Sequence, residues 1–199
     1  MKIMMIGTTG TVGGEVRRTL LERTDYELVH YSRHANQLND LQRRETAITG
    51  DITDQASLTA ALRGVDLVFA SLAGDLPKMI TTLVKSMRLA GVGRIIFISS
   101  MGIYNEIPAE IGLNGNLVYN SGLSKYRISA DIVENSGLTY TVIRPGWFDR
   151  GSGEYEITRK GMPFAGHNVS VAAIADLVEK VINQEIDGTN QSLGINRPE

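Results

Sequence analysis

The chain has 199 residues, 42% of them hydrophobic and 21% charged, enough to bury the core of one globular domain. A formal net charge of −2, with no dense run of lysine or arginine, argues against a general nucleic-acid binder. No cysteine is present, which excludes disulfides, thiolate metal sites and cysteine nucleophiles.

The chain opens with Met1 to Ile6, a short and mostly apolar run that reads as a buried strand. Six residues before the first glycine are too few for a signal sequence or a membrane span, so the expectation is a cytoplasmic protein without membrane contact. Gly7, Thr8, Thr9, Gly10, Thr11, Val12 and Gly13 follow, and Val12, Val16 and Leu20 at four-residue spacing predict a helix. Strand, glycine turn and helix in that order suit a dinucleotide. Glycine opens positive φ and, lacking a Cβ, lets a pyrophosphate approach the main chain. The phosphates then face the unpaired N–H groups and positive dipole end of the helix.

Tyr26 to Tyr31 predicts a second strand and Thr46 to Thr49 a third. Asp54 caps a helix carrying Leu58 and Leu62, and Asp66 to Ala70 is a fourth strand. A helix over Pro77 to Ala90 follows, then an almost uniformly apolar fifth strand, Arg94 to Ser99, as expected of a central parallel strand. Regular signals fade from Met101 to Asn120. A helix from Ser121 to Asn135 leads to a sixth strand, Thr139 to Ile143, closed by Arg144, Pro145 and Gly146. Trp147 to Asn168 reads as irregular, Ser170 caps a last helix, and Gln191 to Ile195 forms a last strand. The alternation predicts a single doubly wound α/β domain over 1–199 in the Rossmann manner. A parallel sheet of order 3-2-1-4-5-6 carries helices on both faces, and 147–199 forms a small substrate-side region.

Several of these stretches together resemble the atypical short-chain dehydrogenase/reductases of the NAD(P)H-binding type, a group that includes flavin and quinone reductase-like and nitrogen-regulator-like proteins. They are Gly7 to Gly13, Gly50 to Thr53, Leu58 to Asp66, Arg94 to Ser100 and Leu138 to Gly146, in the family's order. The resemblance implies that Asp51 lies near the adenine with Ile52 packing on the ring. It also implies that Ala70, Ser71, Leu72 and Ala73 let the cofactor's middle pass. Pro145, Gly146 and Trp147 then border the nicotinamide. NAD-using folds carry an acid at the end of the second strand for the ribose hydroxyls. Here Ser32 and Arg33 stand there instead, a hydroxyl and a fork of donors suited to a 2′-phosphate. NADP is therefore expected, with NAD as the alternative.

The family's chemistry uses a serine after the fifth strand and a tyrosine four residues before a lysine. Ser99 and Ser100 occupy the serine region and Lys125 the lysine, but Ser121 stands where the tyrosine belongs. Tyr104 and Tyr119 are candidate substitutes. Tyr126 adjoins Lys125 but is expected to point about 100° away from it. Without that tyrosine, the resemblance favours an oxidoreductase acting on a quinone- or flavin-like small-molecule acceptor. Met101, Ile103, Tyr104, Trp147 and Phe148 would form the apolar ceiling over it. A non-catalytic NADP-binding sensor is the alternative. No metal site is expected, no nucleic acid or membrane partner, and a monomer or homodimer.

Overall fold

The computed structural model describes residues 1–198. The first strands are β1 (Lys2–Ile6), β2 (Glu27–Ser32), β3 (Glu45–Thr49), β4 (Leu67–Ala70), β5 (Arg94–Ile98) and β6 (Thr139–Pro145). They are followed by β7 (Trp147–Asp149), β8 (Glu156–Arg159), β9 (Asn168–Ser170) and β10 (Gln191–Asn196). Eight of them form one sheet in the order β3-β2-β1-β4-β5-β6-β10-β8, and β7 pairs with β9 separately. Every pair in the main sheet is parallel except β10 with β8 at the edge. The expected order 3-2-1-4-5-6 stands, extended by the C-terminal strand and its antiparallel neighbour.

Strand alternation sorts the core into two layers. Met4, Ile6, Val68, Phe97 and Val142 face α2 (Gln55–Ala61), α3 (Leu76–Ala90) and α5 (Ser124–Glu134). Ile3, Met5, Phe69, Ile96 and Ile143 face α1 (Thr11–Arg23) and α6 (Val171–Ile182). Both faces of the central strands are therefore dry, which is why β5 reads as a continuous apolar run.

Two stretches hold more structure than their sequence signals. Residues 101–120 contain the single turn α4 (Ala109–Gly112), and the expected helix from Ser121 begins as a 3₁₀ turn before α5. The stretch after Trp147, expected to be irregular, supplies β7, β8 and β9. These strands have three or four residues each, too short to show a period, and their partners lie far along the chain.

Candidate dinucleotide and acceptor site

The glycine turn joins β1 to α1 through close backbone contacts. Gly7 adopts φ of 98°, and a Cβ there would lie 1.8 Å from the Ser71 carbonyl oxygen. A Cβ on Gly13 would lie 2.1 Å from the Gly7 oxygen. Both contacts are backbone to backbone, so neither can relax by turning a side chain. Thr9, Gly10 and Thr11 face outward, whereas Val12 packs into the core and Thr8 is buried. Helices α2, α3 and α6 are capped by the side chains of Asp54, Asp75 and Ser170. Gly10 gives α1 no such cap, which leaves its first N–H groups to an outside acceptor.

Thr8 serves a different purpose from its neighbours. Its hydroxyl lies 2.9 Å from His30 Nδ1, and His30 Nε2 lies 2.6 Å from Glu45. Arg17 grips the same carboxylate at 2.6 and 2.9 Å and reaches Asp40 at 3.0 Å. Burial alone would raise the Glu45 carboxyl, but Arg17, the Gln42 N–H and His30 hold it down at about 2. An ionised Glu45 accepts a hydrogen bond from the Nε2–H of His30, so Nδ1 accepts from the Thr8 hydroxyl.

At the far end of the same sheet edge, Arg33 is exposed and Ser32 half-buried, with the Ser32 hydroxyl 3.3 Å from the His34 N–H. Asp51 accepts the N–H and hydroxyl of Thr53, each at 2.8 Å, which lowers its carboxyl, and the charge of Arg33 lowers it further. Ile52 turns into the core cluster with Tyr31 and Leu58. Ala70 is buried, Ser71 and Leu72 half-buried and Ala73 exposed, continuing the edge past the glycine turn.

Beyond β5 and β6 lies a cleft of about 360 Å³. Ser99, Ser100, Met101, Pro145 and Gly146 form its base, and Leu123, Tyr126, Trp147 and Phe148 its walls. Trp147 is 62% exposed and Phe148 51%, high values for side chains of this size. The Trp147 ring stacks on His167, 5.7 Å between centroids and 9° from parallel, and the His167 carbonyl accepts the Trp147 N–H at 2.9 Å.

The tyrosines fall differently from expectation. Tyr104 does not line the cleft: its hydroxyl donates to Glu134, and Arg127, Arg144 and Lys160 lie over its ring. Burial and that acceptor push its phenol well up. Ile103 is likewise a core residue, and Tyr119 is exposed outside the cleft. Tyr126 is the tyrosine in the cleft wall, with Lys125 Nζ 5.4 Å from its ring centroid. Helical rotation does separate Tyr126 from Lys125, but it is Tyr126 that turns inward while Lys125 is exposed. Which way α5 faces depends on its packing against α3, and no spacing within 121–126 encodes that. Among the described residues no acidic, histidine or cysteine cluster is arranged to hold a metal, and no helix is long and apolar enough to cross a membrane.

Comparison with known proteins adds to this geometry. The model of the NAD(P)H-binding family matches residues 7–185. The chain belongs to that family. It is 32% identical over 154 residues to an NAD(P)H azoreductase from Xenophilus azovorans, covering 73% of this chain and 48% of the relative. The chain thus spans about half the length of this curated relative. A Rossmann-fold NAD(P)-binding family protein from Shigella flexneri superposes with a TM-score of 0.84 at 28% identity, covering 99% of this chain and 93% of that one. A short-chain dehydrogenase/reductase from Veillonella parvula, solved in complex with NADP, superposes with a TM-score of 0.86 at 21% identity, covering 99% and 94%. The family's dinucleotide fits what the chain offers: a turn closed to any Cβ at Gly7 and Gly13, and an uncapped helix start beside it.

Proposed function

We propose that the protein is an NADPH-preferring reductase of flat, conjugated electron acceptors. The observation that carries this reading is the composition of the 360 Å³ cleft. Its exposed aromatic walls, Trp147 and Phe148, and the buried apolar Met101 and Leu123 surround two serines, with Asn120 and Tyr126 as the other polar side chains, and no carboxylate, lysine or histidine lines it. Such walls bind a planar conjugated molecule by stacking and exclusion of water. They offer little to a small polar carbonyl compound.

In this reading the turn from Gly7 to Gly13 and the start of α1 hold the pyrophosphate. Ser32 and Arg33 take the 2′-phosphate, Asp51 borders the adenine, and Ala70 to Ala73 leave room for the middle of the cofactor. Pro145 and Gly146 back the nicotinamide; Lys125, exposed beside Tyr126 and outside the cleft lining, would have to turn toward the ribose to orient it. The bound NADPH would supply hydride to the acceptor and leave as NADP⁺, with solvent at the open cleft supplying the proton. Trp147 and Phe148 fix the acceptor's plane, and positioning of that kind lowers the barrier without a dedicated acid. The relative's description as an azoreductase fits this class, since an azo bond joins two conjugated groups.

A second reading draws on Tyr126. Its place in the cleft wall, near Ser99 and Ser100, lets a phenol replace the missing tyrosine at 121 and assist a carbonyl substrate. One experiment separates the two readings. NADPH oxidation is followed with quinones, flavins, azo dyes and aldehydes, and then repeated with Tyr126→Phe. Turnover of the flat acceptors, unchanged within a few fold in the variant, is the expected result. Loss of a general acid typically costs about 10²–10⁴-fold. A drop of that size in Tyr126→Phe, at unchanged NADPH affinity and with aldehydes preferred, would establish the carbonyl reading instead. No oxidation with any acceptor, despite tight NADPH binding, would leave the protein a sensor.

A further inference from the structure

Beside the acceptor cleft lies a second hollow of about 380 Å³, which the site described so far does not use. From Trp147 in the cleft, β7 runs directly to Asp149 at its rim. Its walls join two helix starts: Thr11 and Glu15 on α1 and Val171 on α6, bridged by Asp149, Arg150 and Gly151. Three of the lining side chains are charged, two acidic and one basic. Both acids are committed elsewhere. Glu15 pairs with Arg18, while Asp149 pairs with Arg197 at 2.7 Å and accepts the Gly151 N–H at 2.8 Å. The α6 start is closed as well, because the Ser170 hydroxyl takes the Ala173 N–H at 3.1 Å. What remains is Arg150, exposed and without an ion-pair partner among the described residues, in the same hollow as the uncapped first turn of α1.

We propose that Arg150 clamps the dinucleotide pyrophosphate from the side opposite the glycine turn. The inference rests on the dinucleotide-binding reading and adds a residue and a coupling to it. Planar guanidinium donors match phosphate oxygens, and the helix start already draws negative charge to this place. The neighbouring Asp149, held by Arg197, anchors the strand end that presents Arg150 and so limits the entropy lost in forming the contact. The same short strand carries Trp147 and Phe148. Phosphate binding at Arg150 is therefore felt at the wall of the acceptor cleft, and Trp147 reports it.

ADP-ribose tests this directly, since it has the pyrophosphate but neither nicotinamide nor 2′-phosphate. Wild type, Arg150→Ala and Arg150→Lys are titrated with ADP-ribose, NADH and NADPH, and the emission of Trp147, the single tryptophan, is recorded. Arg150→Ala should lose about tenfold to a hundredfold in affinity for all three ligands, the loss of one charge-assisted contact. Arg150→Lys should recover part of it. ADP-ribose should shift Trp147 emission in wild type and leave it unmoved in saturated Arg150→Ala. Equal ADP-ribose affinity in wild type and Arg150→Ala, both folded with the same Tm, would overturn the clamp, as would a loss confined to NADPH. Failure of the wild type to bind ADP-ribose, NADH or NADPH at all would instead overturn the dinucleotide reading and the clamp with it.

Discussion

Thr8 and Arg33 show how residues at one sheet edge divide their work. Thr8, inside the glycine turn, hydrogen-bonds inward to His30, and Glu45 and Arg17 continue the chain to the surface. Burial pushes the His30 imidazole below its ordinary 6.5, against the pull of Glu45. Glu45 drops from 4.5 to about 2. Both shifts have the same sign for stability. Each folded pKa lies below its unfolded value, so the unfolded chain takes up protons first as pH falls. The stabilisation is complete above about pH 6.5, and the His30 part is lost first, below the ordinary histidine value. The Glu45 part is lost between 4.5 and about 2. Glu45→Gln should cost about 3 kcal/mol at pH 7, because it leaves Arg17 and His30 without their ionised acceptor. It should also flatten the acid end of the profile, and denaturant melts across pH read both effects. Arg33, by contrast, is exposed, and in the proposed reading it takes the cofactor's 2′-phosphate. Arg33→Ala should weaken NADPH about tenfold or more while leaving NADH nearly unchanged. Equal losses in calorimetric titration would show that Arg33 does not read the 2′-phosphate.

At the scale of elements, the small β7–β9 pair is what turns a Rossmann edge into a walled cleft. Gly146 makes this possible, since a Cβ there would lie 2.4 Å from the His167 carbonyl oxygen and push β9 away. Gly146→Ala should destabilise the protein by about 1–3 kcal/mol, the usual cost of overpacking. It should also break the Trp147–His167 stack, seen as a change in Trp147 emission without ligand. An unchanged spectrum would mean that β9 is not held by this contact. The β7–β9 pairing was not legible from sequence, although Trp147 and Phe148 were expected to wall the cleft. The central strands were, as continuous apolar runs dry on both faces, and so were α1, α3 and α6, each of which buries a long periodic face against the sheet. The strands β7, β8 and β9 have neither a continuous apolar run nor a long period, and their identity comes from partners distant in the chain. The same reason hid Tyr126. The glycine turn, Ser99, Ser100, Pro145 and Gly146 were readable because strand ends in a parallel sheet must converge on one edge. A side chain on α5 takes its direction from tertiary packing.

For the whole molecule, residues 147–198 are built into the sheet and helix layers of 1–146 and not appended to them. Helix α6 packs along α1, and its Ile174, Leu177 and Val178 share one buried cluster with Met5, Val16 and Phe69. Strand β10 lies beside β6 over five paired residues, from Gln191 opposite Thr141 to Ile195 opposite Pro145. Arg144, fully buried, ties the two parts further. It pairs with Glu106 in the segment after β5 and donates to the Ser192 hydroxyl on β10 at 3.1 Å. Removing one partner of a buried pair typically costs about 3–5 kcal/mol, because the other charge is left without compensation. These contacts cross between 1–146 and 147–198 in the sheet, in a helix layer and in the hydrogen bond from buried Arg144 to Ser192 at once. The expected behaviour is one cooperative transition over both parts. Trp147 reports on the later part and far-UV circular dichroism on the sheet and helices as a whole. Their denaturant midpoints should coincide, and Arg144→Ala should lower both together. A Trp147 transition that precedes the loss of secondary structure, in wild type or in Arg144→Ala, would show that the cleft wall unfolds on its own and that the substrate-side region is a separate unit.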